Sequence, residues 1–195
     1  MYGNLGTGGV SKAPFEQLYP DFVPGYRTHT VEHRAIDAAG NISPAAAFRA
    51  TVLPGARPVC STTLTGAQAG VTVNQGVTCL NDATVTGDVV VRGGGSVVVN
   101  GGRISGRLDA SGALDVQMFG TTVAGSTSVT GSTGTTALVN NQLQGGVTLS
   151  GNAATSFGLA LVANTIAGGL TCTNGDVSDY GVPNRISGTA SCSVR

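Results

Sequence analysis

Tryptophan is absent from this chain, aromatic residues make up 5%, and charged residues make up 10% against an ordinary share of about 25%. A core with so few rings must be filled by Val, Leu, Ile and Ala, side chains that stack in thin layers. Basic and acidic residues number 10 each, so the chain lacks the one-signed excess that grips a polyanion, and nucleic acid is excluded as a leading partner. Hydrophobic residues at 41% with little charge also run opposite to the composition of a charge-rich disordered tail. Long apolar runs are missing too. The uncharged stretch from Val116 to Gly175 is interrupted by Gly, Ser, Thr and Asn every two or three residues, so no membrane span is expected. What the chain has in excess is turn formers: 31 Gly and 7 Pro among 195 residues, about a fifth, against a usual share of about 12%. A mostly helical protein is therefore ruled against.

The glycines are not scattered. A pattern of an apolar residue, any residue and a glycine recurs at Gly66, Gly87, Gly106, Gly125, Gly145, Gly168 and Gly188, with spacings of 21, 19, 19, 20, 23 and 20. The residue two before each glycine is Leu64, Val85, Ile104, Val123, Leu143, Ile166 and Ile186, apolar in every copy. A period near 20 with short strands predicts an all-β fold, a right-handed parallel β-helix of about seven turns over 60–195. Past the glycines, Val89/Val91, Leu108/Ala110, Thr127/Val129, Val147/Leu149, Leu170/Cys172 and Ala190/Cys192 should point inward. By the same alternation Val90/Arg92, Asp109/Ser111, Ser128/Thr130, Thr148/Ser150, Thr171/Thr173 and Ser191/Ser193 should face solvent. A further strand per turn is expected at Val97 to Val99, Ala113 to Val116, Ala137 to Val139 and Leu159 to Val162, with clusters such as Gly93-Gly94-Gly95 at corners.

Residues 1–53 differ in composition, holding both histidines, the single lysine, Lys12, and four of the ten acidic residues. Thr28 to Val52 reads as two alternating runs around a Gly-Asn turn, a β-hairpin, and 54–59 as a linker. Four cysteines, Cys60, Cys79, Cys172 and Cys192, show no metal-binding spacing. Cys172 and Cys192 stand four past their glycines, and Cys60 and Cys79 are 19 apart, so disulfides Cys60 to Cys79 and Cys172 to Cys192 are expected, one near each end. Disulfides favour an oxidising, extracellular or cell-surface location. The opening residues carry no signal-peptide pattern, so the expectation is a leader upstream of a fragment.

The run Val31 to Ser43, VEHRAIDAAGNIS, resembles the closing strand pair of the Ig-like or fibronectin-like sandwiches of secreted bacterial enzymes and surface proteins. Such sandwiches use about seven strands, so this pair would be a truncated module. Residues 60–195, with VCSTTLTG, GVTCLNDATVTGDVVVRGGGSVVV and GGLTCTN, resemble the β-helical modules that follow such sandwiches. The resemblance implies placement outside the cell and carries no catalytic motif; similarity to pectate-lyase-type β-helices is architectural.

Candidate chemistry is thin. Asp88, Arg92, Arg103, Arg107, Asp109 and Asp115 fall within two neighbouring turns and could mimic the carboxylates and base of a lyase. The plainer account is surface ion pairing, with Asp88 stacked on Arg107. His29 and His33 are four apart on a strand and lack a third metal ligand, and neither a GxSxG elbow nor a phosphate loop occurs. No catalytic residue, metal or cofactor is expected. The expectation is a non-catalytic extracellular structural or binding module. Its partners would be upstream domains of the same polypeptide and, through the hydroxyl face of Ser128, Thr130, Thr148, Ser150, Thr171, Thr173, Ser191 and Ser193, polysaccharide. A polysaccharide-active β-helical enzyme and an ice-binding solenoid are the alternatives.

Overall fold

The computed structural model describes residues 28–51, 58–153, 159–173, 177–192 and 194. Expectations for residues 1–27, Val52, most of the linker and Ser193 lie outside them. The described elements are all β-strands, arranged as a hairpin and a parallel solenoid of about six turns.

In the hairpin, Thr28–His33 pairs antiparallel with Ala46–Thr51, and Ile36 bridges Ile42. The turn between them is held by Asp37, whose carboxylate accepts from the backbone N–H groups of Ala39 and Asn41 and from the Asn41 side-chain amide. Gly40 supplies the left-handed residue such a turn needs, at φ +86°.

Three parallel sheets wall the solenoid. A narrow sheet of seven strands runs from Ala67–Gln68 through Thr84–Val85, Arg103–Ile104, Thr122–Val123, Gln142–Leu143 and Thr165–Ile166 to Arg185–Ile186. A hydroxyl sheet of six strands runs through Val71–Val73, Val89–Val91, Leu108–Ser111, Thr127–Thr130, Val147–Ser150 and Leu170–Cys172. A wide sheet of seven strands runs from Thr62–Leu64 through Gly76–Asn81, Gly95–Asn100, Val116–Phe119, Thr136–Val139 and Leu159–Val162 to Val177–Ser178. Parallel strands need a crossover, and here the other two sheets provide it, so each turn closes without a helix.

Each turn sends one inward side chain from the narrow sheet and about two from each of the others. One layer is Val85, Val89, Val91, Val97 and Val99; the next is Ile104, Leu108, Ala110, Val116 and Met118, all within one apolar core. Leu108 beside Ala110 keeps the second layer near the volume of the all-valine one, as close packing requires. Burying each Val, Leu, Ile or Met side chain of these layers contributes roughly 1.5–3 kcal/mol.

All the repeat glycines except Gly66 lie between the narrow and hydroxyl sheets, and their role is steric. A Cβ on Gly125 would sit 2.6 Å from the Gly106 carbonyl oxygen, and one on Gly188 would sit 2.7 Å from that of Gly168. The backbones of successive turns touch there, and Gly125 N–H donates to Gly106 O at 2.9 Å. Between the wide and narrow sheets every turn bends through a left-handed residue instead: Asp82, Gly101, Gly120, Asn140 and Ala163, with φ from +49° to +67°. Behind this bend Asn141, Asn164 and Asn184 form a ladder. Asn141 N–H donates to Asn164 Oδ1 and Asn164 N–H to Asn184 Oδ1, each at 2.9 Å. The Asn141 and Asn164 amides also donate to Met118 O and Leu138 O.

Three details depart from the sequence expectation. Leu64 does not join the column of Val85, Ile104, Val123, Leu143, Ile166 and Ile186; it pairs with Leu80 in the wide sheet, and Gln68 stands beside Val85. The first TLTG is thus the end of a wide strand followed by a bend at Gly66 (φ +66°), so it does not begin a further turn and the count is about six. Ala113 to Val116 is not a strand: Val116 pairs with Val97 and Thr136, so the strand is Val116–Phe119 and Ala113 is a buried corner residue. Finally, Ala190, expected inward, is exposed at the terminal turn, with no further strand described beyond it to cover it.

Candidate functional site

The outer face of the hydroxyl sheet carries the expected polar array. In-register pairing sets Asp109, Ser128, Thr148 and Thr171 in one row and Ser111, Thr130 and Ser150 in another, with adjacent turns about 4.8 Å apart. Thr173 continues the second row, since its N–H donates to Leu149 O and its hydroxyl lies 2.7 Å from that of Ser150.

The two rows are chemically unequal, which sequence alone does not reveal. Most of the second row is engaged within the chain: Thr130 Oγ1 donates to Ala110 O at 3.3 Å and Ser150 is paired with Thr173, while Ser111 is exposed. In the first row, Ser128 and Thr148 are half-buried and Thr171 is exposed, and none of the three makes a side-chain hydrogen bond among the described residues. Ser191, at its far end, accepts the Cys172 N–H at 3.2 Å. Of the eight residues expected on this face, Ser193 lies outside the described residues, and Ser128, Thr148 and Thr171 are the three that make no side-chain hydrogen bond among the described residues.

The charged turns at the other end of this face neutralise themselves. Arg92 reaches both nitrogens toward Asp109 Oδ2, at 3.2 and 3.3 Å. Arg107 Nε lies 3.2 Å from Asp88 Oδ2, and its backbone N–H donates to Asp88 Oδ1 at 2.9 Å. Both pairs are exposed enough that each contributes about 0–1 kcal/mol. Asp115 serves the next corner, accepting from Thr135 N–H and Ser96 Oγ. Arg103 stands apart on the narrow sheet, in register between Thr84 and Thr122. The six charged residues thus do not converge on one point. Among the described residues no group of three His, Cys, Asp or Glu could hold a metal ion, and His29 and His33 lie in the separate hairpin, opposite Ala50 and Ala46.

Of the solenoid's rings, Phe119 and Tyr180 are half-buried on the wide-sheet side, and Tyr180 packs against the small cluster of Ala137, Ala160 and Val162. Phe157 lies outside the described residues. Neither described ring belongs to the hydroxyl sheet, so neither gives the row a stacking platform.

The cysteines are joined as Cys60–Cys79 and Cys172–Cys192, one disulfide tying the first wide strand to the second turn and the other tying the last turn to the chain beyond it. Among the described residues no helix is long and apolar enough to cross a membrane. No known protein family, curated protein or solved structure matches this chain.

Proposed function

We propose that this chain is a non-catalytic extracellular module of a larger secreted or cell-surface protein, and that its hydroxyl sheet makes weak contacts with neutral polysaccharide. The observation that carries the reading is the free file Ser128, Thr148 and Thr171. Its repeat of about 4.8 Å is close to the length of one sugar unit along an extended β-linked chain. A polymer lying along the solenoid axis would meet one hydroxyl per unit. Hydroxyl bonds gain little over water and no described ring adds stacking, so the contact is in the millimolar range, about −4 kcal/mol.

The remaining parts of the reading have separate supports. Two disulfides suit an oxidising compartment. The parallel crossovers favour a right-handed winding, and the Asp37-centred hairpin is taken as the closing pair of an Ig-like sandwich of bacterial type, with upstream domains as partners. A lyase would need its carboxylates free, whereas Asp88 and Asp109 are bonded to arginines. An ice-binding face would need two uniform rows, whereas one row here is mixed and internally bonded.

Affinity electrophoresis through gels of neutral and uronic-acid polysaccharides tests the proposal. Retardation in a neutral gel that disappears in the triple variant Ser128→Ala, Thr148→Val, Thr171→Val is expected. Release of new reducing ends, or thermal hysteresis abolished by the same variant, would overturn it.

A further inference from the structure

Parallel solenoids have two ends, and here the ends are built differently. Each end carries one disulfide, Cys60–Cys79 or Cys172–Cys192, but the C-terminal end is also tied by single bridges from Leu170 to Ala190 and Val177 to Val194. At the N-terminal end, Val71–Val73 is the outermost strand of the hydroxyl sheet. Val71 N–H donates to Asp88 O, and Val73 O accepts from Arg92 N–H, both at 2.9 Å toward the second turn. In a parallel ladder the intervening residue points its backbone the other way. The N–H and C=O of Thr72 therefore face outward along the edge. Beside that edge is an open depression of about 490 Å³, walled by Leu64 and the buried Val71 and Val73 together with polar residues such as Thr62, Thr72 and Thr78. Val59, 89% exposed just before the first disulfide, adds an apolar side chain at the same end.

Natural edge strands are guarded by short length, lysine, proline or charge. This one is short, at three residues, but lacks the other guards: from Pro58 to Asn81 the chain carries no charged residue. We propose that this end is an interface, and that its occupant is the same end of a second copy of the chain, in a two-fold coaxial dimer.

Two properties favour a second copy. Val-Thr-Val reads the same in both directions, so antiparallel pairing across a two-fold axis sets Val71 against the partner's Val73, both inward, and Thr72 against its own equivalent. On the axis the two Thr72 residues would exchange both N–H to C=O bonds, the hydrogen-bonded pair of an antiparallel ladder. The charge-free first turn also lets two like surfaces meet without repulsion, whereas the opposite end carries Asp179 and Arg185. A head-to-tail contact would leave the Val71–Val73 edge facing the closed end. The dimer would place two hydroxyl files end to end, raising avidity for a long polymer.

Sedimentation equilibrium of the full chain at micromolar concentration should give the mass of two chains. Thr72→Pro removes the outward N–H while sparing the bonds of Val71 and Val73, and Thr72→Lys places like charges on the axis; both should sediment as monomers with unchanged circular dichroism. Under a glutathione redox buffer, Thr72→Cys should form a reducible crosslinked dimer, because paired Cα atoms there lie about 5.5 Å apart; Ser187→Cys, on the narrow sheet side, should not. A monomeric wild-type chain, a dimer that survives both Thr72 substitutions, assemblies larger than two chains, or equal crosslinking at both cysteine positions would overturn the proposal.

Discussion

Asp37 shows how one side chain fixes an element. Its hydrogen bonds from Asn41, first the side-chain amide and then the backbone N–H, hold its carboxyl below the usual carboxylate range. A lowered native pKa means the ionised form is favoured by folding. Its contribution is therefore fully present above the ordinary aspartate value and is lost as pH falls through the lowered one. Carboxyl NMR titration should find Asp37 titrating below a peptide aspartate, and an unshifted value would contradict the turn geometry. Thr127 is the opposite case. It occupies an inward position between Leu108 and Val147, and its buried hydroxyl has no partner. Thr127→Val should raise stability by about 1 kcal/mol in denaturant unfolding, since it removes an unsatisfied group and keeps the shape. The sequence showed Thr127 pointing inward, but not that its hydroxyl would be stranded, because that depends on which atoms surround it. The glycines divide in the same way. Gly125→Asn drives a Cβ into backbone and should cost about 3 kcal/mol or more, whereas Gly151→Asn, at φ +59° in open space, should cost about 1 kcal/mol or less. The spacing of the repeat glycines was legible; the close contact of successive backbones that requires them was not.

At the scale of elements, the asparagine ladder is what sequence reading missed. Asn141, Asn164 and Asn184 each stand two residues before the apolar member of the repeat, a regularity that could have been found by aligning the turns one step further back. Asn164→Ala should leave Asn141 N–H and Leu138 O unpaired in a buried corner and cost about 2–4 kcal/mol; a loss under about 0.5 kcal/mol would show that the ladder does not hold the bend. Strand identity was legible wherever alternation was strict, as in Leu108 to Ser111. It failed at Leu64 and at Ala113 to Val116, where an apolar residue beside a glycine fits a strand or a corner equally well and only pairing with the neighbouring turn decides. The disulfides belong to this scale too, each closing a loop of 19 or 20 residues near one end, for roughly 3 kcal/mol in the chain-entropy model. On reduction, amide hydrogen exchange should quicken first in the terminal turns, around Thr62–Leu64 and Arg185–Ile186, with the Thr127–Thr130 strand last.

For the whole molecule, a three-walled solenoid converts a period in the chain into a period on its surface. Composition and repeat made that architecture legible, but they gave the two hydroxyl rows equal weight, because hydrogen bonding between turns cannot be read from residue type. The proposed ligand face is the first row of the hydroxyl sheet, the file of Ser128, Thr148 and Thr171. The most direct measurement is an amide NMR titration of the isotope-labelled full chain with soluble neutral β-linked oligosaccharides, run beside an assay for new reducing ends. The account predicts fast-exchange shifts that follow the file of Ser128, Thr148 and Thr171, a millimolar dissociation constant and no cleavage. Shifts centred on Asp88, Arg92, Arg107 and Asp109 together with cleavage of the oligosaccharide, or no shift on the hydroxyl sheet at saturating ligand, would contradict it.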